Sequence, residues 1–456
     1  MRRVRVPQHV LEIVEKLKSL GHSAYVTGGA VRDMFIEGRE PSDWDVATSA
    51  TPREVTDAFD RVYPSGITHG TVTVVTEDGH VEVTTYRQDG PYRDGRHPES
   101  VEFVNDIRGD LSRRDFTVNA MAYDPSTGEL VDPYGGMNDL EARIIRTVGR
   151  PHSRFSEDHL RLLRAVRFAA QLGFSVDAST MAAIREHACD IADVSAERIT
   201  GEFLKLLTAP APSRGLRLLV ESGLVRYVLP ELVELSGSDS GSEGGVHGGS
   251  SEPGRSAWHR YEWASAVCDL VPADEGLRLA ALFCASPGQD PADSASRARE
   301  ALTRMRLPRA VVDRAVSLVR LSGSLPANPD DVTFRRFAAY VGKHNILDLL
   351  QLERAKRLAS GDQDSALEVD SLLKRATGLL QSDAPLAVSD LEVNGSDVIE
   401  LTGIAPGPAV RAVLLNLLDQ VIELPSRNQR DTLRALIPRV WEELGMPGRR
   451  ESHRVE

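Results

Sequence analysis

The 456-residue chain has no run of about 18 uninterrupted apolar residues, which excludes a helix able to cross a bilayer. Its opening stretch, MRRVRVPQHVLEIVEKLKSLG, is interrupted by charge every few positions and so lacks the apolar core of an export signal. Cysteine is scarce. Cys189, Cys268 and Cys284 are far apart and odd in number, which rules out a disulfide framework and a cysteine-based zinc cluster. A soluble protein of the reducing cytoplasm is expected. Positive charge is in deficit as well: 54 Lys and Arg stand against 67 Asp and Glu, a net charge of −13. Bulk attraction to nucleic-acid phosphate needs the opposite balance, so any RNA contact must be local. One stretch does invert the balance, where Arg143, Arg146, Arg150, Arg154, Arg161, Arg164 and Arg167 face only Glu157 and Asp158 after Glu141. Internal repeats are missing too.

At about three times the length of a typical domain, the chain should fold as several packed units. Val10, Ile13, Val14, Leu17 and Leu20 recur at helical spacing over residues 7–20, and Gly21 stops the helix. The runs SAYVTGG, DWDVAT, GTVTVVTEDG, HVEVTTYR and VEFVND then read as short strands separated by turns. From Ser156 onward nearly every periodic segment is helical, EDHLRLLRAVRFAAQLGF among them. The fold class is therefore α+β: a small mixed-sheet head ending near Arg150, followed by an all-α remainder. Residues 235–256 are Gly/Ser-rich without apolar period and are expected to be a mobile insertion. Ser286 to Ser296 is expected to be a surface loop.

The chemistry concentrates in the head. GGAVRD, Gly28 to Asp33, precedes Asp43-Trp44-Asp45. In a strand, residues two apart share a face, so Asp43 and Asp45 converge. Two carboxylates on one face can share Mg2+, which prefers hard oxygen ligands and leaves positions for phosphate and water. Gly28 and Gly29, at a strand-to-helix turn, let backbone amides approach a triphosphate, and Arg32 follows one turn later. Glu82, in HVEVTTYR, alternates against Val81 and Val83 on a strand expected beside the Asp43–Asp45 strand, and it supplies a third acid. Three acids suffice for two metal ions in phosphoryl transfer, without a covalent nucleophile.

The stretches LEIVEKLKSLGHSAYVTGGAVRDMF, DWDVATSATPREV, RRDFTVNAMAYD, LVDPYGGMNDLEARIIRTVG and EDHLRLLRAVRFAAQLGF resemble the class II tRNA nucleotidyltransferases, of the polymerase-β-like superfamily. The likeness spans the first 175 residues. It implies a head at 1–150, a neck at 151–208, a helical body at 209–345 and a tRNA-binding tail at 346–456. It also implies two Mg2+ ions, CTP and ATP as substrates, and the tRNA 3′ end and acceptor arm as partner. Gly29, Arg32, Asp43, Asp45, Arg114, Asp158, Arg161, Arg164 and Arg167 match the family's nucleotide- and metal-binding positions. Glu82 matches the third acid, and Asn119 a residue near the ribose.

Helical spacing offers an account of base choice. At about 100° per residue, Asp158, Arg161 and Arg164 fall on one stripe, with Leu163 and Val166 towards the packed side. Cytosine and adenine both present an amine donor beside a ring-nitrogen acceptor, matching Asp158 as acceptor and Arg161 as donor. Uracil and guanine reverse both groups. An ordinary i,i+3 ion pair is the alternative reading of Asp158 and Arg161. Tyr86 to Pro98 reads as a mobile hairpin loop, and in the resembling family an intact loop here accompanies addition of the terminal A. Many relatives also carry a metal-dependent HD unit, but here LRLAALFCASPG puts Cys284 and Ala285 where its His and Asp would stand, leaving at most a dead relic with His259 as a surviving position. Gly403, Pro406, Gly407 and Pro408 mark a turn before a tail helix. The alternatives are an enzyme adding only A, a bacterial-type poly(A) polymerase, and a catalytically retired RNA-binding protein.

Overall fold

The computed structural model describes residues 6–41, 43–67, 70–90, 92, 95, 100–232, 253–284, 289–382 and 384–445. The chain divides into two compact units, one of residues 1–262 with 304–307, the other of 263–303 with 308–456.

In the first unit, the helix expected over 7–20 is α1 (Gln8–Ser19), which buries Val10, Ile13, Val14 and Leu17 as a single apolar stripe. There follow β1 (Ala24–Thr27), α2 (Gly29–Met34), β2 (Asp45–Thr48), α3 (Pro52–Ala58), β3 (Val62–Gly66), β4 (Thr71–Thr76), β5 (Gly79–Thr85), β6 (Arg87–Asp89), β7 (Val101–Phe103), α4 (Ile107–Ser112), β8 (Ala122–Tyr123), β9 (Leu130–Val131) and α5 (Gly136–Ala142). Seven strands form one sheet in the order β3-β4-β5-β2-β1-β8-β9. It is mixed, since β2 and β5 run parallel and the other neighbouring pairs antiparallel. Val26, Val46, Val72, Val74, Val81 and Val83 pack with the buried face of α1 into one core. This register also builds a row. Asp45 lies across from Thr27 on one side and Glu82 on the other, and Glu82 across from Thr73.

Beyond the sheet come β10 (Ile144–Ile145), α6 (Pro151–Glu157), α7 (Leu160–Leu172), β11 (Ser175–Val176), α8 (Ala178–Glu186), α9 (Ala196–Leu207), α10 (Pro212–Glu221) and α11 (Val225–Val228). The stretch EDHLRLLRAVRFAAQLGF is not one helix. It breaks at Asp158, whose backbone is extended (φ −144°, ψ 106°), and the Asp158 carboxylate accepts the Leu160 amide at 3.1 Å. Aspartate competes well for a free amide at a helix start, which favours a break over continuation. The segment expected to be a mobile loop after Tyr86 is partly strand, because β6 pairs with β7 and Tyr86 itself is fully buried. Of the remainder, 91, 93–94 and 96–98 lie outside the described residues.

The second unit is helical, with a core of Val398, Val413, Leu417, Val421, Leu433, Ile437 and Val440 drawn from its last three helices. Two expectations change. Of the segment 235–256, residues 235–252 lie outside the described residues, while 253–256 open the helix Pro253–Leu270; proline suits a first helical position, where its missing N–H costs nothing. Of 286–296, residues 286–288 lie outside the described residues, but Pro291 to Ser296 begin the helix Pro291–Arg304. That helix buries Ala295, Ala298, Ala301 and Leu302, a stripe of small side chains that bulk polarity conceals. Cys284 is buried and its Sγ donates to the Ala281 carbonyl at 3.0 Å. Burial pushes its thiol up to about 12, so it offers no thiolate to a metal. Ala285 lies outside the described residues, as does the side chain of His259. Gly403 closes the helix Gly395–Thr402 in the left-handed region (φ 70°), and Pro408 opens the next helix.

One close approach fixes α5 against residues 117–121. A Cβ on Gly136, the first residue of α5, would stand 2.3 Å from the Thr117 carbonyl oxygen and 2.9 Å from Met121 Cγ. Backbone cannot yield as a flexible side chain does, so Gly136→Ala is expected to cost about 1–3 kcal/mol or more. A urea denaturation series would measure it, and an unchanged midpoint would show that α5 can shift freely.

Candidate active site

Three acids meet at the parallel seam of the sheet. Asp45 begins β2 beside Glu82 of β5, and Asp43 lies just before the strand rather than within it. The convergence therefore rests on strand pairing and on the approach to β2, not on alternation along one strand. Burial, opposed by Arg114 and reinforced by Glu82 and Asp43, pushes the Asp45 carboxyl up to about 6. Gly28, with φ 73°, stands against this acid, since a Cβ there would lie 3.3 Å from Asp45 Oδ2 and 3.5 Å from Arg114 Nη1. Only glycine satisfies both the left-handed backbone and that approach. Arg114 is anchored by Asp110 at 3.1 Å, and its Nε is buried without a hydrogen-bond partner, a donor left for a ligand oxygen.

A cleft of about 380 Å³ opens from this point. Its lining includes Gly28, Gly29, Arg32, Asp45, Arg114, Asn119, Asp158, Arg161 and Arg164. Nine of the twelve site residues expected from sequence thus share one cleft. Asp43 and Glu82 do not line it. Arg167 is also outside the lining; it bonds Glu202 and Gln171 and lies 3.7 Å over the Phe168 ring. One further helical turn carries it past the cleft towards α9.

Asp115, Glu157, Arg198 and Glu202 were not singled out from sequence, and they organise the cleft. Asp115 accepts two hydrogen bonds from Arg164, at 2.9 and 2.7 Å, and one from Asn119 at 3.2 Å. Asn119 in turn accepts from Arg32 at 2.7 Å. Burial opposes the Asp115 charge, but Arg164 and Arg161 and these hydrogen bonds outweigh it and bring the carboxyl down to about 2. Arg164 also approaches Glu202 at 3.6 Å. Asp158 is held by Arg198 at 3.0 and 3.2 Å. Arg161 donates to Glu157 at 2.6 Å, to the Arg154 carbonyl at 3.1 Å and to the Arg113 carbonyl at 3.0 Å. Asp158 and Arg161 are each paired elsewhere, which replaces the ordinary i,i+3 ion pair with two separately oriented groups on one wall. Asp115 was within reach of the sequence, between Arg114 and Phe116 of a quoted motif. Arg198 and Glu202 sit on a helix about 40 residues further on in an unremarkable pattern, and only packing of α9 against α7 reveals them.

A protein-family model described as the Poly A polymerase head domain matches residues 24–146, and one described as the probable RNA and SrmB-binding site of polymerase A matches 173–235. The CCA-adding enzyme of Geobacillus stearothermophilus is 36% identical over 429 residues, 94% of this chain and 96% of that one. That of Geobacillus sp. (strain WCH70) is 36% identical over 426 residues, covering 93% and 95%. This chain belongs to the CCA-adding enzymes. A crystal structure of the Bacillus stearothermophilus CCA-adding enzyme in complex with CTP matches it with a TM-score of 0.74 at 31% identity, over 96% of this chain and 98% of that one. The Thermotoga maritima CCA-adding enzyme complexed with tRNA-CCA shares the fold, with a TM-score of 0.54 at 19% identity over 96% and 97% of the two chains.

CCA-adding enzymes take nucleotide substrates and use divalent metal, and the acids here fit that need. Glu82 and Asp43 add to the burial that raises the proton affinity of Asp45, with Arg114 as the cation that counters them there, and a hard divalent ion would neutralise such a site.

The raised Asp45 carboxyl sets a pH dependence. Below about 6 a proton occupies it and competes with the cation. Apparent Mn2+ affinity, followed by titration calorimetry from pH 7.5 to 5, is expected to be level above 6 and to weaken by up to about tenfold per unit below it. In metal-free protein the folded state holds this proton more tightly than the ordinary value of 3.8, so stability should fall as pH rises from about 4 to 6 and then level off. An affinity flat down to pH 5 would place the raised carboxyl away from the metal.

Proposed function

We propose that this enzyme adds C, C and A to the 3′ end of tRNA from CTP and ATP, without a template, in the cytoplasm. The observation that carries this reading is one cleft with Asp45 and Gly28 at one end and Asp158 and Arg161, each separately oriented, on its wall. Asp43, Asp45 and Glu82 would hold two Mg2+ ions, which supply charge neutralisation and a more acidic attacking 3′ hydroxyl when bound. The backbone at Gly28 and Gly29 admits the triphosphate closely, and Arg32 and Arg114 bring positive charge to it. Arg32 reaches this position with its guanidinium tied to Asn119 and Asp33, so little side-chain freedom is lost on binding. Asp158 accepts from the exocyclic amine of cytosine or adenine, and Arg161 donates to the neighbouring ring nitrogen. Arg198 holds Asp158 in place on the cleft wall, and Glu157 does the same for Arg161. Arg164 braces the wall through Asp115. Residues 151–208 are then the neck that reads the base, and 346–456 the tail that holds tRNA.

The family model for the Poly A polymerase head keeps one second reading in view, a polymerase that adds A alone to many RNAs. A single assay separates the readings. Purified protein with Mg2+ is given tRNA ending at the discriminator base, at C or at CC, with labelled CTP or ATP. Two C additions, one A and termination are expected. Extension of the CC substrate alone would indicate an enzyme adding only A, long A tails on unrelated RNA would indicate the polymerase, and no extension with Mg2+ or Mn2+ would overturn catalysis.

Two sets of variants test the parts. Asp43→Ala or Asp45→Ala is expected to lower turnover by about a thousandfold or more, since each removes charge stabilisation worth several kcal/mol, while tRNA binding persists in a filter assay. Asp158→Ala or Arg161→Ala should depress CTP and ATP incorporation together and admit UTP or GTP relatively better, with Arg198→Ala a weaker form of the same defect. Loss of CTP use alone would require separate pockets and would sink the shared-wall account.

A further inference from the structure

On the face where α6 meets α8 lies a cluster that nucleotide addition does not employ. His152 is the second residue of α6, Glu186 ends α8 and His187 follows it. Their ligand atoms all lie within 4.8 Å of one another, the one group of three or more His, Cys, Asp or Glu so placed among the described residues. His152 Nδ1 is 3.2 Å from His187 Nε2 and 3.7 Å from Glu186 Oε2. A tetrahedral ion with metal–nitrogen bonds of about 2.0–2.1 Å needs ligand atoms roughly 3.3–3.4 Å apart. The spacing already approximates two edges of such a tetrahedron.

A second observation concerns the ring itself. His187 Nδ1 stands 2.7 Å from Asp190 Oδ2. An ionised carboxylate only accepts, so Nδ1 carries the proton and Nε2 keeps its lone pair towards His152 and Glu186. This is the carboxylate–histidine arrangement that orients imidazole for a metal and raises its basicity. His152 is open to solvent, so its ring can exchange tautomers and present Nδ1 as a ligand. Two imidazole nitrogens and one carboxylate oxygen favour a borderline ion of the zinc class over Mg2+ or Ca2+.

From this geometry we infer that His152, Glu186 and His187 form a site for a zinc-class divalent ion, with Asp190 orienting His187 and water completing the coordination. The site is separate from the carboxylates of the head and does not depend on the reading of the cleft. Its bound ion ties the start of α6, whose other end runs directly into Glu157 and Asp158, to the end of α8. Occupancy therefore stabilises this face of the first unit and leaves the carboxylate chemistry unchanged.

Co2+ is the probe, because four-coordinate Co2+ absorbs visible light much more strongly than the six-coordinate ion that carboxylates favour. Full-length protein in excess Mg2+ is titrated with CoCl2, followed by visible absorption and a thermal melt. One intensely absorbing Co2+ per chain, displaced by Zn2+ and raising the melting temperature, is expected. His152→Ala and His187→Ala should abolish the band, Glu186→Gln should weaken it, and Asp190→Asn should weaken affinity by roughly 10- to 100-fold. His152→Ala should still add CTP and ATP to tRNA at the unaltered rate with Mg2+, which shows the fold intact. Absence of the band in the unaltered protein, or a band that survives both histidine substitutions or Glu186→Gln unchanged, would overturn the site.

Discussion

The buried carboxylate of Asp115 is the point on which the cleft depends. It binds Asn119 and Arg164 at once, and through them an alternating series runs from Arg32 on α2 through Asn119, Asp115 and Arg164 to Glu202 on α9. Each member is a charge or amide that could not stay buried alone, since desolvating an unpaired charge costs far more than the net gain of pairing it. Because every partner holds the next, the rotamers of the arginines facing the cleft are fixed before any ligand arrives. Preorganised donors of this kind are worth more in a sheltered cleft than in water, because they need not reorient as charge develops.

The acids at the sheet seam obey the opposite logic. Burial raises the proton affinity of Asp45, and the neighbouring Glu82 and Asp43 add to it. The sheet tolerates this because the parallel pairing of β2 with β5 holds the two strands through backbone bonds and a valine core beneath, leaving Asp45 and Glu82 no route apart. The cleft thus joins a network of paired charges to Asp45, a carboxylate whose charge burial opposes.

Asp158 and Arg161 owe their positions to the break between α6 and α7. Had the helix continued through Asp158, that carboxylate and Arg161 would have been free to pair with each other on the helix surface. The extended backbone at Asp158 turns the carboxylate to cap α7 and to meet Arg198 on α9, while Arg161 turns to Glu157 and two carbonyls. A template-free choice of base needs such fixed groups, because no complementary strand is present to correct a mobile one.

Much was legible from the chain alone. The Gly28–Gly29 turn, the basic stripe and the mixed-sheet head followed by helices all show in local pattern, because strand alternation, helical period and glycine at a positive φ are properties of neighbouring residues. The sequence also carried the cleft lining at Arg32, Arg114, Asn119, Asp158, Arg161 and Arg164, through a motif likeness concentrated in the first 175 residues. What it misjudged was local context that depends on packing: the strand within Tyr86–Gly90, the helix from Pro291 and the break at Asp158. What it could not show was partnership across distance. Whether Asp158 pairs with Arg161 or with Arg198, and whether Glu202 is a surface acid or a buried anchor, are decided by α9 lying against α7, a contact between residues about 40 apart in sequence and adjacent only after folding.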